Sequence, residues 1–265
     1  IYYNPYLSYQ PWRTATGDLM PNTPYTAVYT STELASGDTT NLASADQVYY
    51  VPISATANTS AASGYYRFRL RSDANGGLIE RCEWRTGTTW DRNCTNLSSV
   101  TWGDITRTVA QERQNFATWY SFHRTRMKVA KAGSSDAFAD LPEDVRVGFT
   151  TIWNRNTLRI PVGTDAGRFA GTNRAAWFNR LAAAEASNGT PLRNGTPLRS
   201  ALANAATYFS ETGADGPWGP GTGSQQLACR QNFAILTTDG YWNSDAGWNT
   251  VNVDGMPGPT ITGPN

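Results

Sequence analysis

The residues with the most chemical potential lie in one stretch, Cys229-Arg230-Gln231-Asn232-Phe233-Ala234-Ile235-Leu236-Thr237-Thr238-Asp239-Gly240-Tyr241-Trp242-Asn243. Four consecutive apolar residues at 233–236, bounded by polar ones, fit a short strand buried on both faces, as in the middle of a parallel sheet. Thr237, Thr238 and Asp239 then fall where that strand would emerge at its carboxyl end, and Gly240 lets the chain swing away. In open α/β sheets ligands bind at that edge, so Asp239 is the first carboxylate to consider. The competing reading is an Asp that only forms a turn before Gly240. His123 is the only histidine. With no cysteine or second histidine nearby to share a metal, and no paired nucleophile, it reads as a hydrogen-bonded core residue rather than a catalytic one.

Cys82 and Cys94 flank a turn-rich stretch at 85–93, a spacing that suits a small disulfide loop worth roughly 3 kcal/mol through the entropy of the unfolded chain. We expect these two to be bridged and Cys229 to stay unpaired within the chain.

The elements that would hold these groups follow from patterning. In the first 108 residues strand and turn signals dominate: residues 48–53 read as a strand that Pro52 confines to an edge or an end. Tyr66, Phe68 and Leu70 alternate with Arg67, Arg69 and Arg71, and Asn75-Gly76-Gly77 turns the chain into a return strand at 78–84. The arginine row is either an anion-binding face or, as we favour, a solvated strand face. Helical period starts at Val109, where Phe116, Trp119, Tyr120, His123, Met127 and Ala130 share one side of a helix of about six turns, with Glu112, Arg113, Arg124, Lys128 and Lys131 elsewhere. A polar break at Gly133-Ser134-Ser135 follows. Residues 145–153 and 158–160 then read as a strand hairpin, and residues 169–186 as a helix. A further helix is announced by Thr196 as N-cap with Pro197 in its first position and the stripe Leu198, Leu202, Ala205, Phe209.

Composition narrows the function classes. Charged residues make up only 16% of the 265 and the formal charge is +1, which gives no support for a nucleic-acid or polyanion partner. Lys128 and Lys131 are the only lysines, and ten Trp and thirteen Tyr accompany abundant Ser, Thr, Asn and Gly, a texture that leans towards an exported protein. No apolar run approaches the roughly 20 residues of a membrane-spanning helix, and no stretch of these residues reads as a signal peptide. The sequence opens without Met and closes on a Gly/Pro-rich tail at 255–265, so it reads as a piece of a longer protein.

A Thr in a helix-opening loop and an Asp ending the next central strand resemble two elements of the metal-ion-dependent adhesion site of von Willebrand factor A domains. A wider match is more specific. Tyr2-Tyr3-Asn4-Pro5, Tyr9-Gln10-Pro11-Trp12, Arg113-Gln114-Asn115-Phe116-Ala117-Thr118-Trp119-Tyr120, Arg124-Thr125-Arg126-Met127, Gly195-Thr196-Pro197-Leu198-Arg199 and the stretch from Cys229 to Asn243, in that order, resemble the N-terminal region of the PilY/PilC family. These are tip-associated adhesin and assembly proteins of bacterial type IV pili.

The resemblance implies an α/β fold: an incomplete von Willebrand factor A-like open sheet over residues 109–265, with a β-rich N-terminal insertion at 1–108. It implies no enzyme activity and a location at the bacterial cell surface or pilus tip, reached through the periplasm. Thr196 and Asp239 carry over as metal positions for Mg²⁺, Mn²⁺ or Ca²⁺, with Tyr241 and Trp242 as possible ligand contacts. The family's D-x-S-x-S motif is absent from these residues, so an upstream segment is expected to supply it and the first strand, and tight metal binding by this chain alone is not expected. Minor pilins and a host or surface receptor are the implied partners. The other readings are a metal-free structural plug between tip protein and minor pilins, and a carbohydrate-binding or carbohydrate-cleaving domain. The last ranks lowest, because no two carboxylates are placed to face one another across a cleft.

Overall fold

The computed structural model describes residues 1–53, 64–84, 92–152, 158–184, 196–227 and 229–238. The chain divides into two compact units, Ile1–Ala139 and Asp140–Asn265. The helix that starts at Val109 belongs to the first unit.

In the first unit β1 (Val28–Tyr29) pairs with β2 (Thr39–Thr40). Four antiparallel strands, β3 (Gln47–Pro52), β4 (Tyr65–Leu70), β5 (Ile79–Trp84) and β6 (Arg92–Leu97), follow in chain order across one sheet. β3 is an edge with Pro52 at its end, where a residue without an N–H does least harm. The period of two in β4 puts Phe68 and Leu70 in the core opposite Tyr49 and Gln47. On the other face Arg69 pairs with Glu80, while Arg71 reaches Asp46 at 3.1 Å and Glu80 at 2.7 Å, so these two arginines serve internal ion pairs. Cys82 and Cys94, on β5 and β6, are bridged with Cα atoms 4.1 Å apart, and Cys229 is free and exposed. The hairpin β7 (Ser99–Trp102) and β8 (Ile105–Thr108) leads into α1 (Val109–Phe122). Thr108 and Gln111 form a reciprocal capping box there, worth about 1 kcal/mol.

The long helix expected from 109 to 131 is two. His123 leaves helical backbone as the C-cap of α1, and Thr125 Oγ accepts from Lys128 N–H at 3.2 Å, which starts α2 (Arg126–Ala139). The break expected at Gly133-Ser134-Ser135 does not occur. Ser135 donates to the Ala132 carbonyl at 2.9 Å and accepts from Arg13 N–H at 3.2 Å, so its buried hydroxyl is satisfied without ending the helix.

In the second unit α3 (Gly171–Ala182) buries Trp177, Phe178 and Leu181, with Phe149 and Phe169 edge-on to Trp177. α4 (Leu198–Phe209) buries Leu198 and Ala201 and leaves Leu202 exposed. The hairpin read at 145–160 is present as one bridge, Phe149 to Leu158, with its two backbone bonds at 2.9 and 2.7 Å. Among the described residues the protein is thus a mixed α/β chain with several sheets and four α-helices, and those sheets are antiparallel and lie in the first unit.

The buried strand at 233–236 is a correction. These residues are described, form no strand, and leave Phe233 73% and Ile235 80% exposed. An apolar run becomes a central strand only when neighbours bond both edges and other layers cover both faces, and no described segment does so here.

The disulfide closes a loop of 12 residues between β5 and β6. Replacing both Cys82 and Cys94 by Ala should lower unfolding free energy by about 3 kcal/mol, read from the urea midpoint. An unchanged midpoint would show that the bridge does not constrain the unfolded chain.

Candidate functional site

Thr196 lies just before α4, whose N-cap position falls to Pro197 and not to Thr196. Pro197 holds the N-cap position with no side-chain capping bond, and Leu198 N–H donates to the Thr196 carbonyl at 2.8 Å. Pro197 itself has φ −78° and ψ 63°, outside the helical region, so the helix begins after it rather than on it. Asp239, Tyr241 and Trp242 lie outside the described residues. Among the described residues the metal-ligand types that come together are Glu80, Cys82 and Cys94, within 4.8 Å of one another. That group does not fit a cation: the sulfurs are joined to each other and Glu80 is ion-paired with Arg69 and Arg71.

The densest polar constellation is in the first unit, around α1. Residues 1–32 have little regular structure, so most of their backbone groups must find partners outside ladders and helices. Glu112, one helical turn into α1, is fully buried. Its Oε1 accepts from Tyr3 OH and Tyr49 OH, both at 2.9 Å, and its Oε2 takes Arg107 Nη1 at 3.1 Å. Arg107, also buried, spends its other terminal N–H groups on the Pro5 carbonyl at 2.7 Å, the Leu7 carbonyl at 2.9 Å and Ser8 Oγ at 3.0 Å. Asn115, one turn on from Glu112, donates to Tyr3 OH and to the Leu7 carbonyl and accepts from Tyr9 N–H. Around this polar centre the Tyr3 ring meets Tyr49, Phe116 and Trp119 with centroids 4.9 to 5.5 Å apart.

The same logic runs along α2. Buried Lys128 donates to the carbonyls of Tyr29 at 2.9 Å and Tyr120 at 3.2 Å, and buried Lys131 to that of Thr32 at 2.6 Å, with its ammonium 5.3 Å from the Trp12 ring centroid. Trp12 Nε1 in turn donates to the Phe122 carbonyl at 2.9 Å. Half-buried His123 donates from Nε2 to the Gln10 carbonyl at 2.7 Å, and burial pushes its pKa down. Desolvation, with Arg124 nearby, lowers Lys128 to about 8. Burial first, then the Glu112 charge, pushes the Tyr3 and Tyr49 hydroxyls far up.

Periodicity put Glu112, Lys128 and Lys131 on the wet side of a helix, and the structure buries all three. Glu112 is met by Tyr3, Tyr49 and Arg107, and the lysines serve carbonyls of the N-terminal segment and, for Lys128, of Tyr120. The available signal was the pairing of lone lysines with a proline-punctuated, aromatic segment that cannot satisfy itself.

Three curated proteins match the chain, each named Type IV pilus biogenesis factor PilY1, from three strains of Pseudomonas aeruginosa. One is 35% identical over 155 residues, 54% of this chain and 13% of the relative. A second is 32% identical over 166 residues, 58% of the chain and 14% of the relative. The third is 26% identical over 263 residues, 92% of this chain and 20% of the relative. The chain thus spans between 13% and 20% of the length of these relatives. No family model matches, and no solved structure matches. The relatives bear out the PilY/PilC kinship read from the motifs.

Removing the Glu112 carboxylate by Glu112→Ala leaves a buried arginine and two tyrosine hydroxyls without it and should destabilise the protein by about 3–5 kcal/mol in urea unfolding, whereas Glu112→Gln should cost less. A loss under about 1 kcal/mol for Glu112→Ala would mean that the network relaxes without consequence.

The pH dependence has a definite sign. Folded Lys128 releases its proton near pH 8, and in the unfolded chain at about 10.4, so between these values the unfolded state binds more protons and stability rises with pH, by at most about 1.4 kcal/mol per unit. Above pH ~10 unfolded tyrosines ionise while Tyr3 and Tyr49 cannot, and stability falls. Lys128→Met should flatten the rise and leave the fall, as measured by denaturation across pH 7–11.

Proposed function

We propose that this chain, a relative of the PilY/PilC pilus factors, is a non-enzymatic part of a type IV pilus assembly and adhesion protein, working at the cell surface or pilus tip. The observation that carries the reading is the kinship to the PilY1 biogenesis factors, which in one relative extends over 92% of the chain. The structure adds physical content. The first unit is organised around a buried network that joins β3, β8, α1 and the N-terminal segment, as suits a preformed recognition body rather than a catalytic cleft. No helix among the described residues is long and apolar enough to cross a membrane.

The adhesive part of the reading concerns residues from Asp140 onward, as a portion of a von Willebrand factor A-like domain. There Thr196 and Asp239 would contribute to a Mg²⁺, Mn²⁺ or Ca²⁺ site whose open position takes a partner's carboxylate, with Tyr241 and Trp242 adding contact area. The exposed Phe233 and Ile235 support a strand that pairs only when an upstream segment bearing D-x-S-x-S is present. Minor pilins and a surface receptor are the partners this reading names.

Titration calorimetry with each of the three cations, on the chain extended upstream through that motif, tests the metal site. We expect binding that Asp239→Ala abolishes and Thr196→Ala weakens at least tenfold. Absence of binding in the extended chain would favour a metal-free structural joint between tip protein and minor pilins. The assembly role is tested separately: an in-frame deletion of these residues from the whole protein should reduce surface pili, and wild-type piliation in that deletion would contradict it.

A further inference from the structure

The first unit contains a cleft of about 340 Å³ beside α1, whose lining includes Tyr9, Asn22, Thr106, Gln111 and Gln114. What it can bind follows from which hydrogen-bonding groups are already committed. In the β7–β8 hairpin Thr101 stands opposite Thr106 and Ser99 opposite Thr108, and next to them Val109 N–H donates to the Ser98 carbonyl at 3.3 Å. Bonded and non-bonded pairs alternate along an antiparallel ladder, so the pairs at Thr106 and Thr108 are the non-bonded ones. Their backbone N–H and C=O groups therefore point away from β7. Gln111 Oε1 accepts from Thr108 N–H at 2.9 Å, whereas the Thr106 backbone has no partner among the described residues.

The side chains around this open edge are similarly half committed. Gln111 uses its carbonyl in the capping box, leaving its N–H₂ group free among the described residues. Gln114 donates to the Thr23 carbonyl at 3.0 Å, and its own side-chain carbonyl has no partner among the described residues. Both terminal nitrogens of Arg107 are bonded to Glu112 and the 5–8 segment, so its charge is compensated by Glu112 within the unit. The Tyr9 ring is engaged by Tyr3 and His123, with centroids 5.7 and 5.1 Å away, which disfavours a sugar stacking on it.

A main-chain donor and acceptor on a strand edge, flanked by one amide donor and one amide acceptor, complement the backbone of an extended peptide. We infer that this cleft is a binding site for an extended, uncharged polypeptide segment, which adds beside β8 at Thr106 and is held by Gln111 and Gln114. The inference rests on the first unit alone and stands apart from the pilus and cation readings.

A displayed library of random heptapeptides, selected on the 265-residue chain, supplies the probe. The strongest binder should slow exchange of the Thr106 amide and shift the side-chain amide signals of Gln111 and Gln114. Gln111→Glu keeps the acceptor that caps α1 and removes the free donor, and should weaken binding at least fivefold. Thr106→Pro removes the edge N–H and should weaken it at least tenfold; if that variant fails to fold, Gln111→Glu still decides. Failure to enrich any peptide, or enriched peptides that leave Thr106 exchange and Gln111→Glu affinity unchanged, would overturn the inference. So would neutral oligosaccharides shifting these amides where no peptide does.

Discussion

The carboxylate of Glu112 is the constraint on which the first unit depends. Three donors converge on it from three places in the chain, Tyr3 in the N-terminal segment, Tyr49 on β3 and Arg107 on β8, while its own backbone belongs to α1. A buried charge is tolerable only when paired and hydrogen-bonded, so folding must bring all three partners to it together. The aromatic rings around Tyr3 then pack as a consequence of that convergence, and Arg107 passes the constraint outward to the carbonyls of Pro5 and Leu7.

This solves a problem set by the sequence itself. The first 32 residues carry prolines and aromatics but few ladder partners, and a segment of that kind packs against the unit only if side chains receive the backbone groups that water no longer reaches. α1 and α2 provide them, with Asn115, Lys128, Lys131, Ser135 and His123 each bonded to a backbone group in residues 7–32. The second unit has no comparable centre among its described residues: its contacts are aromatic, around Trp177 and Phe169, together with the exposed Arg159 to Glu211 ion pair.

Local signals were legible in the sequence wherever one short stretch decides the outcome. The edge position of Pro52, the alternation at Phe68 and Leu70, the Asn75-Gly76-Gly77 turn and the start of α1 at Val109 all appear in the structure, as does the Cys82 to Cys94 bridge. Long-range requirements were not. Residues 233–236 have the composition of a central strand, but composition cannot supply two neighbouring strands, and the segment is exposed. Glu112 and the two lysines have the composition of a wet helix face, yet a segment a hundred residues away in sequence covers them. Asp239 lies outside the described residues, while the polar cleft beside β8 arises from ladder parity, which no single residue type announces.

The rigidity attributed to the Glu112 network can be read directly at Tyr9, whose N–H donates to Asn115 Oδ1 at 2.9 Å although no strand or helix holds it. Native-state hydrogen exchange compares this amide with those of Phe116, Ala117 and Trp119 in α1. If the N-terminal segment is fixed by the buried network, the Tyr9 amide exchanges only through the same global opening, with the same denaturant dependence as α1. Exchange of Tyr9 through a local opening several kcal/mol cheaper, with α1 still protected, would show that the segment is merely laid on the unit and that Glu112 does not hold it together.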